Sequence, residues 1–152
     1  MDVDFVIHKD GGPASLWSEQ AQPGDSINIA GPGAAKPVDL NADWFLIAGD
    51  MTALPAIRAN LKRLPANAKG HLMLEIISEA DKQALDIDLS ELPEQLEVHW
   101  LINPNPSITK VLNQGVRSLP WLEGEPAIWL AGELDEVLEG RKHLKAQPNI
   151  LK

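Results

Sequence analysis

Two apolar runs in this sequence end in the same way, with alanine, glycine and an acid placed before a helical pattern. The first run is W-F-L-I-A-G-D, from Trp44 to Asp50, and the second is I-W-L-A-G-E, from Ile128 to Glu133. In open parallel sheets, ligands bind outside the carboxyl ends of the strands, near the point where the strand order reverses. Glycine lets the backbone approach a ligand closely, although it also permits a tight turn with no ligand. Because the pattern occurs twice, we predict a ligand site where the two turns come together.

The first of these turns has the residue types of an anion site. In A-G-D-M-T-A-L-P, a glycine (Gly49), a hydroxyl (Thr52) and a proline (Pro55) lie at the start of a helical pattern. The free N–H groups and the dipole of a helix N-terminus favour an anion such as a pyrophosphate, and Thr52 would either donate to that anion or cap the helix. Asp50 places a negative charge beside the same position, and could instead face a ribose hydroxyl or a flavin. The turn matches neither the G-x-G-x-x-G fingerprint nor the Walker A loop.

Other kinds of reactive site find little support in the sequence. The absence of cysteine excludes disulfides, thiolate nucleophiles and Cys-ligated metal centres. The histidines show no i, i+4 pairing and no nearby ligand cluster, so we predict no metal site and interpret His99 as a core or sheet-face residue. The motifs G-x-S-x-G and H-E-x-x-H are also absent, and no catalytic residue is identified. The four histidines are His8, His71, His99 and His143.

Several charged residues allow two interpretations each, a ligand-binding role and a structural role. Glu75 falls inside a predicted strand, some distance after the first turn, as a ribose-binding acid often does, but its place within the strand favours a sheet-face role. The bases of the helix predicted after the first turn would attract a 2′-phosphate or another anionic ligand, although solubility is the simpler explanation; they are Arg58, Lys62 and Arg63. The acids from Glu133 to Glu139 are predicted to solvate a helix face, with Asp135 and Glu136 also favouring the helix dipole.

Composition and charge narrow the class of protein. With 152 residues and 44% hydrophobic side chains, the chain is long enough for a packed core. It carries 22 acids and 13 bases, a formal net charge of -9, which argues against binding to a nucleic-acid backbone. No apolar run reaches the roughly 20 residues of a membrane span, and the start M-D-V-D lacks the layout of a secretory signal. These features predict no membrane span and a cytoplasmic location.

Apolar strands alternate with amphipathic helices from Asp43 onward, which is typical of parallel βαβ units. The first predicted helix, for example, places Leu54, Ile57 and Leu61 at spacings of three and four. We therefore predict an α/β fold with an open parallel sheet. The predicted strands are Trp44 to Ala48, Leu72 to Ile77, Leu96 to Ile102 and Ala127 to Ala131, and the predicted helices are Thr52 to Leu64, Ile108 to Leu119 and Leu134 to Leu144.

The residues before this pattern form a separate part. A Pro- and Gly-rich stretch from Pro23 to Pro37 indicates a domain joint, so we divide the chain into residues 1–38 and 39–152. Within the first part we predict a strand from Val3 to His8, a helix from Ser15 to Ala21 with Ser15 as its N-cap, and a strand from Ser26 to Ala30.

Five stretches resemble the siderophore-interacting proteins, flavin-dependent ferric-siderophore reductases of the ferredoxin-NADP reductase superfamily. They are D-F-V-I-H (4–8), G-P-A-S-L-W (12–17), P-G-D-S-I-N-I-A-G-P (23–32), A-D-W-F-L-I-A-G-D-M-T-A-L-P-A-I (42–57) and W-L-A-G-E (129–133). The central stretch and G-P-A-S-x-W are the specific ones. The resemblance implies a ferredoxin-reductase-like NAD(P)-binding domain with an open parallel sheet (39–152), preceded by the end of a flavin-binding β-barrel (1–38).

The same resemblance implies a set of cofactor-binding residues. FAD would be held in the first part, and the nucleotide of NAD(P)H at the two turns of the second part. The residues implied for FAD are His8, Gly12, Pro13, Ala14 and Ser15; those implied for the first nucleotide turn are Gly49, Asp50, Thr52, Ala53 and Pro55; those implied for the turn that faces nicotinamide and flavin are Ala131, Gly132 and Glu133. Met51 stands where family members usually have an acid, which leaves the role of that side chain open.

A reductase function follows as an expectation from this resemblance. Electrons would pass from NAD(P)H through FAD to Fe(III) in a ferric siderophore, releasing Fe(II) for iron uptake. A ferredoxin is a possible alternative donor, and we expect a monomer. Family members carry more of the barrel before residue 4 and a further strand after residue 152, so we expect this chain to bind FAD weakly and to turn over poorly. The alternative is a non-catalytic nucleotide- or siderophore-binding module that needs a separate flavin domain.

Overall fold

The structure is a computed structural model that describes residues 3, 5–7, 11–31, 36–84, 86 and 88–150. It divides into two compact units, Met1–Ala35 and Lys36–Lys152. The described strands all lie in the second unit, as does the hydrophobic core. No helix in the described ranges is long and apolar enough to cross a membrane.

A four-stranded parallel sheet forms the centre of the second unit. Its strand order is β3-β2-β1-β4, so the chain moves outward from β1 to β3 and then returns to the other side of β1. The point where the order reverses therefore lies between β1 and β4. The strands are β1 (Trp44–Gly49), β2 (Lys69–Ile76), β3 (Gln95–Ile102) and β4 (Pro126–Ala131).

In the described residues, five α-helices and two short 3-10 turns precede, connect or follow these strands. The predicted alternation of strands and helices is confirmed, and with it the α/β fold class. The helices are α1 (Pro13–Gln20), α2 (Leu54–Leu61), α3 (Asp81–Ala84), α4 (Val111–Ser118) and α5 (Leu134–Leu144), and the 3-10 turns are Met51–Ala53 and Leu89–Glu91.

Helices cover both faces of the sheet, which explains why β1 and β2 are buried at almost every position. Ile57 and Leu61 of α2 pack with Ile47 on one face. Leu112 of α4 packs with Leu46 on the opposite face, where α5 also lies. Since Ile57 is completely buried, truncating it to alanine should cost about 2–5 kcal/mol through lost burial and an unfilled cavity.

The ends of several predicted elements differ from the structure for local reasons. The helix predicted from Thr52 begins as a 3-10 turn and becomes α-helical at Leu54, because the Asp50 side chain accepts from the Thr52 amide. The helix predicted from Ile108 begins at Val111, because the amides of residues 108 and 109 both donate to the Asn105 carbonyl. The predicted bounds of α5, in contrast, match the observed ones.

The first unit differs more from its prediction. Helix α1 begins at Pro13 with Gly12 as its N-cap, so the prediction of Ser15 as N-cap is wrong. The two predicted strands are also wrong where they are described: residues 3, 5–7 and 26–30 form none. Side chains such as Ile7 and Ile29 are about half exposed there, at 52% and 54%. A β-rich run forms a strand only when a neighbouring strand pairs with it, and local propensity does not supply that partner.

Candidate functional site

The turns that follow β1 and β4 adjoin in the structure. Gly49 at the end of β1 lies in register with Ala131 at the end of β4. Just beyond these residues, the Glu133 amide donates to Asp50 Oδ2 at 3.1 Å. Sequence reasoning predicted that the two Ala-Gly-acid turns come together, and the parallel pairing of β1 with β4 brings them together at the point where strand order reverses.

Asp50 links the two turns through both of its carboxylate oxygens. While Oδ2 accepts from Glu133, Oδ1 accepts from the Thr52 amide at 2.9 Å and from the Thr52 hydroxyl at 2.6 Å. The carboxylate therefore caps the 3-10 turn that leads into α2, and the Thr52 hydroxyl donates its proton within the protein. The exposed Thr52 oxygen keeps lone pairs for an incoming donor.

The two turns require glycine at positions 49 and 132 for different structural reasons. Gly132 has a φ of +144°, and a Cβ placed on it would lie 2.7 Å from Asp50 Oδ2. A Cβ on Gly49 would lie 2.8 Å from the Ala131 carbonyl oxygen and 2.9 Å from the Ala53 Cβ. Gly49 is therefore required by packing between two strands and a helix, whereas Gly132 keeps open the space beside the Asp50 carboxylate.

A buried polar network closes the same edge of the sheet at the ends of β2 and β3. The Asn103 side-chain amide donates to Glu75 Oε1 at 2.7 Å and to the Thr109 carbonyl at 2.9 Å. The Thr109 hydroxyl donates back to Asn103 Oδ1. Glu75 lies on a sheet face, as predicted, and is buried there. This burial raises the pKa of its carboxyl, although the hydrogen bond from Asn103 lowers it. Nearby Asp50 raises it further.

Glu136 adds a second buried carboxyl from the first turn of α5. Burial, and then the charge of Glu75, raise the pKa of Glu136 to about 7. The predicted solvation of this helix face is wrong at Glu136, which is only 5% exposed. Glu136 begins a stripe of buried positions at spacings of four, with Gly140 and Leu144, and that spacing is the signal that would have revealed it. Asn103 was not singled out from the sequence at all, although it directly follows the end of β3.

The charges of this edge decide which part of a nucleotide it fits. The Asp50 carboxylate caps the turn before α2, and the Glu133 carboxylate caps α5 by accepting from the Asp135 amide at 2.9 Å. The N-terminal amides expected to face a pyrophosphate are thus partly satisfied by acids. With Glu75 and Glu136 close by, the edge offers acceptors, which match donors such as ribose hydroxyls or a carboxamide NH₂ better than they match a phosphate.

The residues expected to hold FAD lie in the first unit and are described there by themselves. Pro13 and Ala14 are exposed in the first turn of α1, after Gly12. Ser15 is buried, and its hydroxyl donates to the Val6 carbonyl at 3.0 Å. That contact uses the Ser15 proton to hold the segment before the helix. His8 lies outside the described residues.

A separate groove lies along β4 and α5, away from the two turns. It has a volume of about 440 Å³ and includes Trp129 together with three basic side chains. The Trp129 indole donates to the Lys36 carbonyl at 3.0 Å, which holds one wall in place. The basic side chains are Lys36, Arg141 and Lys145. In a chain with a net charge of -9, this is a local concentration of positive charge.

The spacing of the histidines along the sequence indicated that they are isolated from each other, but two of them are in contact. His71 and His99 face each other from β2 and β3, with ring nitrogens 3.1 Å apart, and Glu97 lies beside both. The register explains the error: His71 pairs with Glu97, so His99 stands two residues further along the same face of the neighbouring strand. Sequence spacing within one element does not show contacts between parallel strands.

Comparison with known proteins assigns the chain to a family. A family model described as siderophore-interacting protein matches residues 42–152, and a second, described as siderophore-interacting FAD-binding domain, matches residues 1–36. The chain belongs to the siderophore-interacting protein family. The resemblance noted in the sequence is thereby confirmed over both parts of the chain.

Curated relatives and solved structures of siderophore-interacting proteins agree with this assignment. The ferric vibriobactin reductase of Vibrio cholerae is 36% identical over 99% of this chain and 54% of its own length. The NADPH-dependent ferric-chelate reductase of Escherichia coli is 32% identical over 86% of this chain and 49% of its own length. The siderophore-interacting protein from Aeromonas hydrophila superposes with a TM-score of 0.76 at 33% identity, covering 97% of this chain and 56% of that one. The chain thus spans about half the length of the relatives it matches.

Proposed function

We propose that this chain is the pyridine-nucleotide-binding part of a flavin-dependent ferric-siderophore reductase. The observation that carries the proposal is the adjoining pair of turns at the carboxyl ends of β1 and β4, linked by Asp50. Open parallel sheets bind nucleotides at that point. Support also comes from two relatives, which are a ferric vibriobactin reductase and an NADPH-dependent ferric-chelate reductase.

The residues of this edge fit part of a nicotinamide nucleotide. Gly132 leaves a space that a Cβ would fill. The buried polar atoms of the described residues that make no hydrogen bond of standard geometry include Glu75 Oε2, Asn113 Nδ2 and Glu136 Oε1. Ribose hydroxyls or a carboxamide would give such atoms partners. In this proposal the first turn of α1, from Gly12 to Ser15, contributes to FAD binding, as the family resemblance implies.

The protein's own residues bind and orient in this scheme, while bound NADPH and FAD would supply the redox chemistry. Asp50 fixes the distance between the two turns by accepting from Thr52 and Glu133. The exposed Thr52 and the open face of Gly132 are the contacts offered to the nucleotide. Glu136, with a pKa of about 7, holds a proton over part of the neutral range and so lowers the negative charge that a phosphate-bearing ligand meets.

Titration of this chain with NADPH, NADH and FAD tests the proposal directly. Isothermal calorimetry should show saturable binding of a pyridine nucleotide and weak binding of FAD. Thr52→Val should weaken nucleotide binding several-fold, on the order of one hydrogen bond.

A matched control is Ser90→Ala, because Asp88 and Ser90 repeat the Asp50–Thr52 contact with distances of 2.9 and 2.6 Å away from the two turns. It should change stability as Thr52→Val does and leave nucleotide binding unchanged. Equal affinities in all three proteins, or no nucleotide binding by any of them, would contradict the proposal. Assays of ferric-siderophore reduction with NADPH or reduced ferredoxin, plus FAD, then identify the donor.

A siderophore-binding module is the second candidate, favoured by the groove along β4. Its three cations and the Trp129 ring would suit an anionic, aromatic ferric siderophore. If this is the function, ferric siderophore should quench tryptophan fluorescence on binding, and Arg141→Gln with Lys145→Gln should weaken that binding while Thr52→Val does not. The two candidates therefore respond to different substitutions.

A further inference from the structure

Two histidines and a glutamate form a compact cluster on the α4 side of the sheet, apart from the proposed nucleotide site. His71 lies in β2, and Glu97 and His99 lie in β3. His71 is four residues before Glu75 on the same strand, which places it about 13 Å from the acidic edge at roughly 3.3 Å per residue. The cluster therefore needs an explanation of its own.

The distances within the cluster have the size expected around a metal ion. His71 Nδ1 and His99 Nε2 are 3.1 Å apart, and Glu97 Oε2 is 3.4 Å from the first nitrogen and 3.7 Å from the second. Ligand atoms bonded to a tetrahedral ion at about 2.0–2.1 Å lie about 3.4 Å from one another. All three separations lie within 0.3 Å of that value.

The surroundings of His71 favour a ligand role for its Nδ1 atom. The Pro120 carbonyl acts on the ring as a backbone hydrogen-bond acceptor. Because Nδ1 faces His99 and Glu97, we assign this contact to Nε2, which makes no other contact of standard hydrogen-bond geometry in the described ranges. A proton held on Nε2 leaves Nδ1 with a free lone pair. Metal-binding histidines are commonly oriented in this way, with the second nitrogen donating to a carbonyl or carboxylate.

A cation also accounts for the cluster better than hydrogen bonds do. The two imidazoles can share one hydrogen bond, and the 3.4 and 3.7 Å distances leave Glu97 outside good geometry with both rings. One ion would contact all three side chains at once. Access is available, because the Glu97 side chain is 67% exposed and that of His99 is 31% exposed, while His71 at 2% anchors the inner side.

We propose that His71 Nδ1, His99 Nε2 and a Glu97 carboxylate oxygen bind a divalent first-row transition-metal ion, with Zn²⁺ as the best-fitting case. Two nitrogens and one oxygen select ions of this kind over Mg²⁺ and Ca²⁺, which prefer oxygen ligands. The fourth position stays open to water. By joining β2 to β3, the ion stabilises the outer pair of strands.

Calorimetric titration of this chain with Zn²⁺ in a non-chelating buffer tests the proposal. One ion should bind per chain, and Zn²⁺ should raise the melting temperature while Mg²⁺ does not. His99→Gln and Glu97→Gln should each weaken binding at least about tenfold. Both side chains are partly exposed, so these variants should fold, and their melting temperatures without metal show whether they do.

The matched controls change histidines outside the cluster. His143→Gln removes a ring of α5 that contacts Gln147, and His8→Gln removes the remaining histidine; neither should alter Zn²⁺ affinity. NMR of the ring nitrogens should show Zn²⁺ shifting His71 Nδ1 and His99 Nε2. No binding, or Zn²⁺ affinity that both cluster variants retain, would overturn the proposal. Because the site is distant from Thr52 and Gly132, nucleotide binding should stay unchanged in His99→Gln, so the two proposals fail separately.

Discussion

The two halves of β2 show two ways in which this sheet buries polar side chains. Near its carboxyl end, Glu75 is held by Asn103, which lies in the segment after the neighbouring strand. In its amino half, His71 faces residues within the neighbouring strand itself. Partners in segments that follow strands are positioned by loops, whereas partners within strands are positioned by register. The carboxyl end is therefore the place where ligand contacts can be arranged with little effect on the sheet.

Two glycines show the same contrast between a position within a strand and a position in the turn after a strand. Gly70 lies near the start of β2, with a φ of +136° and the Phe45 backbone where a Cβ would go. Gly132 lies in the turn after β4, with a φ of +144° and the Asp50 side chain where a Cβ would go. A backbone held in a sheet cannot move aside, but a carboxylate can. We therefore expect Gly70 to matter for folding and Gly132 for binding.

Gly70→Ala should have the largest effect. A side chain there clashes with the Phe45 carbonyl and must adopt a positive φ, so the free energy of unfolding should fall by about 3 kcal/mol or more. Chemical denaturation measures this change. The control is Gly24→Ala, which has a φ of +105° but open space around its Cβ position, and should cost only about 1–2 kcal/mol. Equal losses in the two variants would show that backbone strain, not the clash, dominates.

Asn103→Ala should come next, with a loss of about 2–3 kcal/mol in the free energy of unfolding. The substitution leaves Glu75 Oε1 and the Thr109 carbonyl without their buried donor. Asn105→Ala, two residues further along in an exposed position, is the matched control and should stay within about 0.5 kcal/mol of the parent protein. A loss below about 1 kcal/mol in Asn103→Ala would mean that water replaces the amide.

Gly132→Ala should reduce nucleotide affinity by at least about tenfold, equivalent to 1.4 kcal/mol, and lower stability by about 1–2 kcal/mol. The reason is that its Cβ occupies the space next to Asp50 Oδ2. Calorimetry with NADPH and thermal unfolding together separate the two effects. Unchanged affinity would show that the nucleotide binds away from this turn. It would also contradict the expectation that Gly132 matters for binding and Gly70 for folding.

Glu136→Gln should have a smaller effect that depends on pH. The pKa of Glu136 is about 7 in the folded protein against an ordinary value of 4.5. Between these values the folded state binds more protons than the unfolded state, so stability falls as pH rises and is lowest above pH 7. The variant should therefore be more stable than the parent above that pH, by on the order of 2 kcal/mol, and lose this advantage towards pH 4.5.

Unfolding measured across this pH range, with the exposed Glu139→Gln as a control, checks the sign. A gain that is constant with pH would show that Glu136 is not the titrating group. NADPH affinity in the parent protein should also fall as pH rises through about 7, because the carboxyl then becomes charged beside the proposed ligand.

Sequence reasoning succeeded where a pattern is repeated along one element. The stripe of Leu54, Ile57 and Leu61 predicted the buried side of α2, and continuous apolar runs predicted strands covered on both faces. It failed where a partner had to come from elsewhere: residues 26–30 are β-rich but form no strand. The start of α4 was also misplaced, since the loop hydrogen bonds to Asn105 compete with the helix there.

The sequence by itself determined the α/β class, the family resemblance and the existence of two Ala-Gly-acid turns, because these depend on residue type and on spacing within single segments. Only the tertiary structure decided that Asp50 holds both turns, that Glu136 is buried, and that His71 meets His99 and Glu97. Those contacts join residues 26 to 83 positions apart. They arise from the order and register of parallel strands, which one strand's sequence does not encode.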